Sequence, residues 1–195
     1  MIDEKQSGDK VVPTCQLQEK LMNTLVIVSH PYPSQSTVIR ALAKEAESIP
    51  GVTVRNLETL YGNDVTGFDI PTEQKAHEGT ERIVYLFPLH WFNLTPMMKA
   101  YFNEVWSYGW CYGPNGTALK GKEMLVVTSA GAAEEAYSHQ SPLDCTMEDV
   151  LTPFKASAGY VGMTYLNPLV FYKAAEADEK TLGQFRKVFS ERLQE

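Results

Sequence analysis

Three short stretches carry the side chains best placed for chemistry. The first, SHPYPSQST at 29–37, follows an apolar β-branched run and leads into a helical pattern. The second, PLHWFN at 88–93, sets a histidine and an asparagine around two aromatic residues. The third, TSAGAAEEAYSHQ at 128–140, begins with small residues and a hydroxyl pair. Ser34, Ser36 and Thr37 stand where a strand gives way to a helix, and a helix start offers unpaired N–H groups and the positive end of a dipole. That combination holds an anion such as a phosphate. Ser36 can equally serve as a plain N-cap, and His30 as a structural histidine. Trp91 and Phe92 could complete the core under the next helix, a reading that suits Phe92 in particular. At a strand end, though, an aromatic face is also a platform for a flat ring. Thr128, Ser129, Ala130 and Gly131 form either a tight turn or a wall that lets backbone approach a ligand closely. Taken together, the three stretches describe a phosphate pocket, an aromatic bed and a close-approach wall, suited to a nucleotide-like ligand with a planar head.

The elements that position these stretches follow from hydrophobic patterning. TLVIVS at 24–29, VTVRNL at 52–57, RIVYLF at 82–87, EMLVVT at 123–128 and PLVFYK at 168–173 read as strands. Helices are expected from Ser36 to Ile49, over a polar segment near 72–81, from Pro96 through Trp106, near 146–158 and over 178–194. Residues 58–71 and GWCYGPNGTALKGK at 109–122 read as loops. Short apolar strands alternating with helices imply an α/β fold, a five-stranded parallel sheet with helices on both faces. Ligands of such a sheet bind beyond the carboxyl ends of its strands, where all three stretches lie.

The chain has 195 residues and a formal net charge of -7. One domain is expected over 23–195 behind a polar lead-in at 1–22, and the acidic balance argues against a general nucleic-acid binder. Cys15, Cys111 and Cys145 form no CxxC pair, so neither a disulfide framework nor a zinc site is expected, and a reducing cytoplasm is the default compartment. No secretory pattern is visible at the N-terminus, and the apolar runs are too short for direct membrane insertion. GxxxxGK[ST], GxGxxG and GxSxG are all missing, and the four histidines lack metal-site spacing, so no metal is expected.

Five stretches, HPYPSQS, FDIPTEQ, FPLHWFNLTPMMKAYFNEVW, GWCYGPNGTALKGK and TSAG, carry a resemblance. From about residue 24 onward the chain resembles the flavodoxin-like NAD(P)H:quinone oxidoreductases of the DT-diaphorase type. Within them it is most similar to the bacterial branch with the ancillary flavoprotein of glutathione-gated potassium efflux. The resemblance implies FMN in preference to FAD, with NADPH or NADH as reductant. A hydride would pass through flavin N5 to a quinone-like substrate that takes two electrons together. By position, His30, Ser36, Thr37, Val38 and Ile39 would hold the phosphate and ribityl end. Leu89, His90, Trp91 and Phe92 would line the ring, with cofactor-site Asn93 following where the chain turns away and Thr128, Ser129, Ala130 and Gly131 at the flavin edge. The resemblance also implies a homodimer in which Tyr112 reaches over the partner's flavin. Tyr137 and His139 stand for the tyrosine and histidine that assist the quinone, in a loop that departs from the family pattern. The alternative function is a regulatory subunit docked on a potassium-efflux transporter. Two further expectations follow: that Ala130, in place of a glycine, narrows the flavin edge by a methyl, and that Trp91→Ala weakens flavin retention more than His77→Ala on a polar helix.

Overall fold

The computed structural model describes residues 22–195, so all but the last residue of the lead-in expected at 1–22, Cys15 included, lies outside the described residues. Its strands are β1 (Thr24–Val28), β2 (Val52–Asn56), β3 (Arg82–Pro88), β4 (Glu123–Ser129), β5 (Thr164–Tyr165) and β6 (Leu169–Phe171). The helices are α1 (Val38–Glu47), α2 (Leu57–Tyr61), α3 (Ile70–Glu78), α4 (Pro96–Val105), α5 (Met147–Tyr160) and α6 (Glu179–Gln194). All strand pairs are parallel, in the order β2-β1-β3-β4, with β5 and β6 sharing the far edge of β4.

The continuous apolar runs have a direct cause: β1, β3 and β4 are covered on both faces. Leu25, Ile27, Ile83, Tyr85, Met124 and Val126 pack with Met97, Tyr101 and Phe154 on one side. Val26, Val28, Val84, Leu86, Leu125 and Val127 pack with Leu42, Leu182 and Phe189 on the other. The in-register pairing of Val26 with Val84, and of Val84 with Leu125, keeps the two sets apart.

Three expectations change. The last strand is two pieces, because Pro168 lacks the N–H needed to continue the ladder between Tyr165 and Leu169. The loop expected at 58–71 begins with the single-turn α2, capped by the Asn56 side chain accepting from the Thr59 amide at 3.1 Å. The third correction concerns α3, whose polar composition hides two fully buried residues, Glu73 and His77. Arg55 Nε donates to Glu73 Oε2 at 2.8 Å, Tyr101 Oη donates to the same oxygen at 3.0 Å, and Tyr61 Oη donates to Oε1. These partners make burial of the carboxylate tolerable. His77 is not the exposed residue its neighbours in sequence suggest.

Candidate functional site

Beyond the carboxyl ends of β1, β3 and β4 lies a groove of about 420 Å³, within the range of small-ligand clefts. His30, Ser36, Thr37, Val38, Ile39, Leu89, His90, Ser129 and Gly131 line it, uniting the three stretches. Strand pairing produces this convergence: the Ser29 amide donates to Leu86 O at 3.0 Å, and the Leu89 amide to Ser129 O at 2.9 Å.

At one end the groove meets the start of α1. Ser36 Oγ accepts from the Arg40 amide at 3.1 Å, while Thr37 makes no side-chain cap bond. The amides of Thr37, Val38 and Ile39 meet no acceptor among the described residues. Three unpaired donors and a hydroxyl at the positive end of a ten-residue helix form a phosphate cradle. His30 borders it. Its Nδ1 accepts from the Tyr32 amide at 3.1 Å, which assigns the proton to Nε2 as a further donor. Burial, and then the neighbouring His90, lower the His30 pKa below its ordinary 6.5, so the ring is neutral at neutral pH.

At the end of β3, His90 and Asn93 exchange both backbone hydrogen bonds at 3.0 Å, closing a two-residue hairpin over Trp91 and Phe92. Both turn residues have positive φ, 50° and 59°. A two-residue hairpin of this hand favours Asn-Gly, and bulky residues held there cost about 1–3 kcal/mol each. The backbone amides of Trp91 and Phe92 are left without acceptors among the described residues. Trp91 is 94% exposed and Phe92 43%, so neither completes a core. Trp91, Phe92 and Asn93 stand at the rim of the groove and not along its wall. Asn93 Oδ1 is engaged locally, accepting from the Leu94 amide at 2.8 Å.

Three candidates stand away from the groove wall. Thr128 is fully buried and its hydroxyl donates to Phe87 O at 2.7 Å, so it has no proton left for a ligand. The Ala130 methyl belongs to the core cluster beneath the sheet and narrows no groove. His139 sits between Asp144 and Asp149 at 3.3 and 3.4 Å, away from the lining. Tyr112, expected over a partner's flavin and not its own, lines a cavity of about 480 Å³ with Phe102, Trp106 and Phe154, residues of α4, its C-terminal end and α5. Tyr137 comes closer, edge-on to Phe92 with ring centroids 6.4 Å apart and tilted against Tyr172 at 5.7 Å. Burial raises its pKa and keeps the phenol protonated.

One wall is new. Ala174, Ala175 and Ala177 line the groove, held by the Ala174 amide donating to Ala130 O at 3.0 Å and the Ala130 amide to Phe171 O at 2.8 Å. The available signal was three alanines at 174, 175 and 177 just after the stretch read as the last strand.

A family model described as a flavodoxin-like fold matches residues 22–193. The uncharacterized NAD(P)H oxidoreductase YdeQ of Bacillus subtilis is 35% identical over 84% of this chain and 82% of its own length. General stress protein 14 from Treponema denticola, solved in complex with FMN, superposes with a TM-score of 0.82 at 32% identity, covering 88% of this chain and 97% of that one. A solved protein from Streptomycin violaceusniger described as a thermophilic tryptophan halogenase gives 0.84 at 40% identity, covering 88% and 98%. An NADPH-quinone reductase from P. pentosaceus gives 0.80 at 25%, covering 88% and 98%.

Proposed function

The chain belongs to the flavodoxin-like fold family, and from that premise we propose that it is an FMN-dependent NAD(P)H:quinone oxidoreductase. The observation that carries the reading is the convergence in one groove of the unpaired α1 amides with the ends of β3 and β4. The cradle fits a terminal phosphate, and the long groove beside it fits a ribityl chain and a flat ring. The relative solved with FMN and the relatives named for NAD(P)H and quinone reduction support the same reading. The halogenase name describes a reaction on tryptophan, and no feature of this groove favours it over hydride transfer.

Bound FMN would supply the redox chemistry, that of a hydride acceptor towards NAD(P)H and a two-electron donor towards a quinone. The protein's part is placement and charge. Thr37, Val38 and Ile39 would donate backbone N–H groups to the phosphate, with the Thr37 hydroxyl and His30 Nε2–H as further donors. The strained hairpin holds the free Trp91 and Phe92 amides at the rim, where they can donate to ring heteroatoms. Tyr137, kept protonated, can donate to a quinone oxygen as negative charge develops. A quinone is a suitable acceptor because its flat ring can take the stacking place the nicotinamide leaves.

A second copy of the chain covers the cavity between α4 and α5 in this reading. Phe102, Trp106 and Phe154 line that hollow, and Tyr160 beside them is 75% exposed. Aromatic-rich faces of this kind suit subunit contacts, and Tyr112 in that face would reach the partner's groove.

The purified protein is expected to be yellow, to release FMN on denaturation, and to oxidise NADH or NADPH when benzoquinone is added. A colourless protein that stays colourless after incubation with FMN and gel filtration sinks the proposal.

A further inference from the structure

We infer that Glu58, acting through Ser29 and Thr95, is a positioning residue that holds the hairpin at 90–93 in place beside the flavin groove. The three side chains come from three different parts of the sheet edge. Ser29 follows β1 and directly precedes His30, Thr95 caps α4 two residues beyond Asn93, and Glu58 lies in the first turn of α2. Ser29 and Thr95 are fully buried. Ser29 Oγ donates to Glu58 Oε1 at 2.7 Å and lies 2.5 Å from Thr95 Oγ1.

Counting protons gives this chain a direction. A carboxylate has none to donate, and the single Ser29 hydroxyl proton goes to Glu58. The Ser29–Thr95 contact is therefore made by the Thr95 proton, with Ser29 Oγ accepting. Thr95 Oγ1 in turn accepts from the Met98 amide at 3.4 Å, the N-cap bond of α4. The relay runs one way, from the positive end of α4 through two hydroxyls to a carboxylate. Each bond polarises the next, and the last is charge-assisted.

Two observations tie the relay to the groove. Glu58 makes no ion pair among the described residues, and its Oε2 is buried with no hydrogen-bond partner among them. Enclosing a carboxylate that way costs stability, in contrast to Glu73, which Arg55 neutralises. The far end of the relay stands just past a turn whose Trp91 and Phe92 hold positive φ. A turn under that strain persists only where its surroundings over-determine it. Ser29 is itself tied to β3, its amide donating to Leu86 O at 3.0 Å, so the relay fastens the exit of the hairpin to the sheet.

The ligand half of this inference rests on the flavin reading and the hairpin half does not, so the test measures them separately. Hydrogen exchange without added FMN, and FMN affinity by fluorescence quenching, are compared for full-length wild type, Ser29→Ala, Glu58→Gln and Thr95→Ser. In Ser29→Ala the His90 and Asn93 amides, which close the hairpin, should exchange about tenfold faster. Val26 and Val84, paired in the middle of the sheet, should keep wild-type rates. FMN affinity should fall by about tenfold in Ser29→Ala and by less in Glu58→Gln, whose amide oxygen can still accept. Thr95→Ser keeps the hydroxyl and should match wild type in both measurements. Adding Glu58→Gln to Ser29→Ala should change little, because the link is already broken. If Ser29→Ala does not fold, Glu58→Gln and Thr95→Ser decide by their opposite expected outcomes. Wild-type exchange at His90 and Asn93, or a rise shared equally by Val26 and Val84, overturns the inference. So does a Thr95→Ser variant as impaired as Ser29→Ala, or unchanged FMN affinity in every variant of a wild type that binds it. A wild type that binds no FMN counts against the flavin reading, and the exchange rates then decide the relay.

Discussion

His77 shows how much one side chain can hide. It is fully buried, its Nδ1 faces Glu73 O at 2.8 Å, and its ring stacks on Tyr101 and meets Trp110 edge-on. Burial drives its pKa down to about 4 from 6.5. A histidine depressed in the folded state is protonated first in the unfolded chain. Between pH 6.5 and about 4 the unfolded state therefore binds the extra proton, and stability falls as pH falls. The loss across that window is on the order of 3 kcal/mol. Urea unfolding at pH 7.0 and pH 4.5 should show it, with His77→Gln showing a smaller pH slope by up to about one proton. An unchanged slope would disprove the assignment. The same burial changes the comparison expected from sequence: His77→Ala opens a core cavity, so it is no neutral reference for Trp91→Ala. The exposed Lys155 is a better one.

At the scale of elements, the hairpin at 90–93 sets stability against function. Trp91 and Phe92 occupy φ values that asparagine and glycine adopt with little strain. Trp91→Asn/Phe92→Gly should stabilise the protein by about 1–3 kcal/mol in denaturant titrations. The same change should weaken FMN retention and lower quinone turnover, since it removes the aromatic rim. Equal stability, or unaltered retention, would show that the turn is not held for the ligand. The other two sides of the groove rest on ordinary devices: an uncapped helix start at Thr37, and the chain at 130–174 tied together by backbone bonds.

For the whole molecule, stability comes from two aromatic and aliphatic layers on opposite faces of one sheet. Phe189 of α6 is fully buried in the layer that also holds α1 against β1 and β3. Phe189→Ala should cost about 3–5 kcal/mol by equilibrium unfolding, and because α1 carries the phosphate cradle it should also weaken FMN binding; a loss under about 1 kcal/mol would refute this packing account. Sequence alone determined the parallel sheet, because apolar runs that alternate with helical periods can be buried on both faces only in that way. It also determined which strand ends meet, so most of the groove lining was legible: His30, Ser36 to Ile39, Leu89, His90, Ser129 and Gly131. Tertiary structure alone decided which way side chains point and what they touch. It turned Thr128 and Ala130 inward, carried His139 away from the groove, and brought in Ala174, Ala175 and Ala177 from far along the chain. It also buried Glu73 and His77 in a helix of polar composition, since their partners Arg55, Tyr61 and Tyr101 come from other elements. Periodicity reports the face a residue occupies within its own element. Only packing supplies the partners that make burying a charge or spending a hydroxyl favourable.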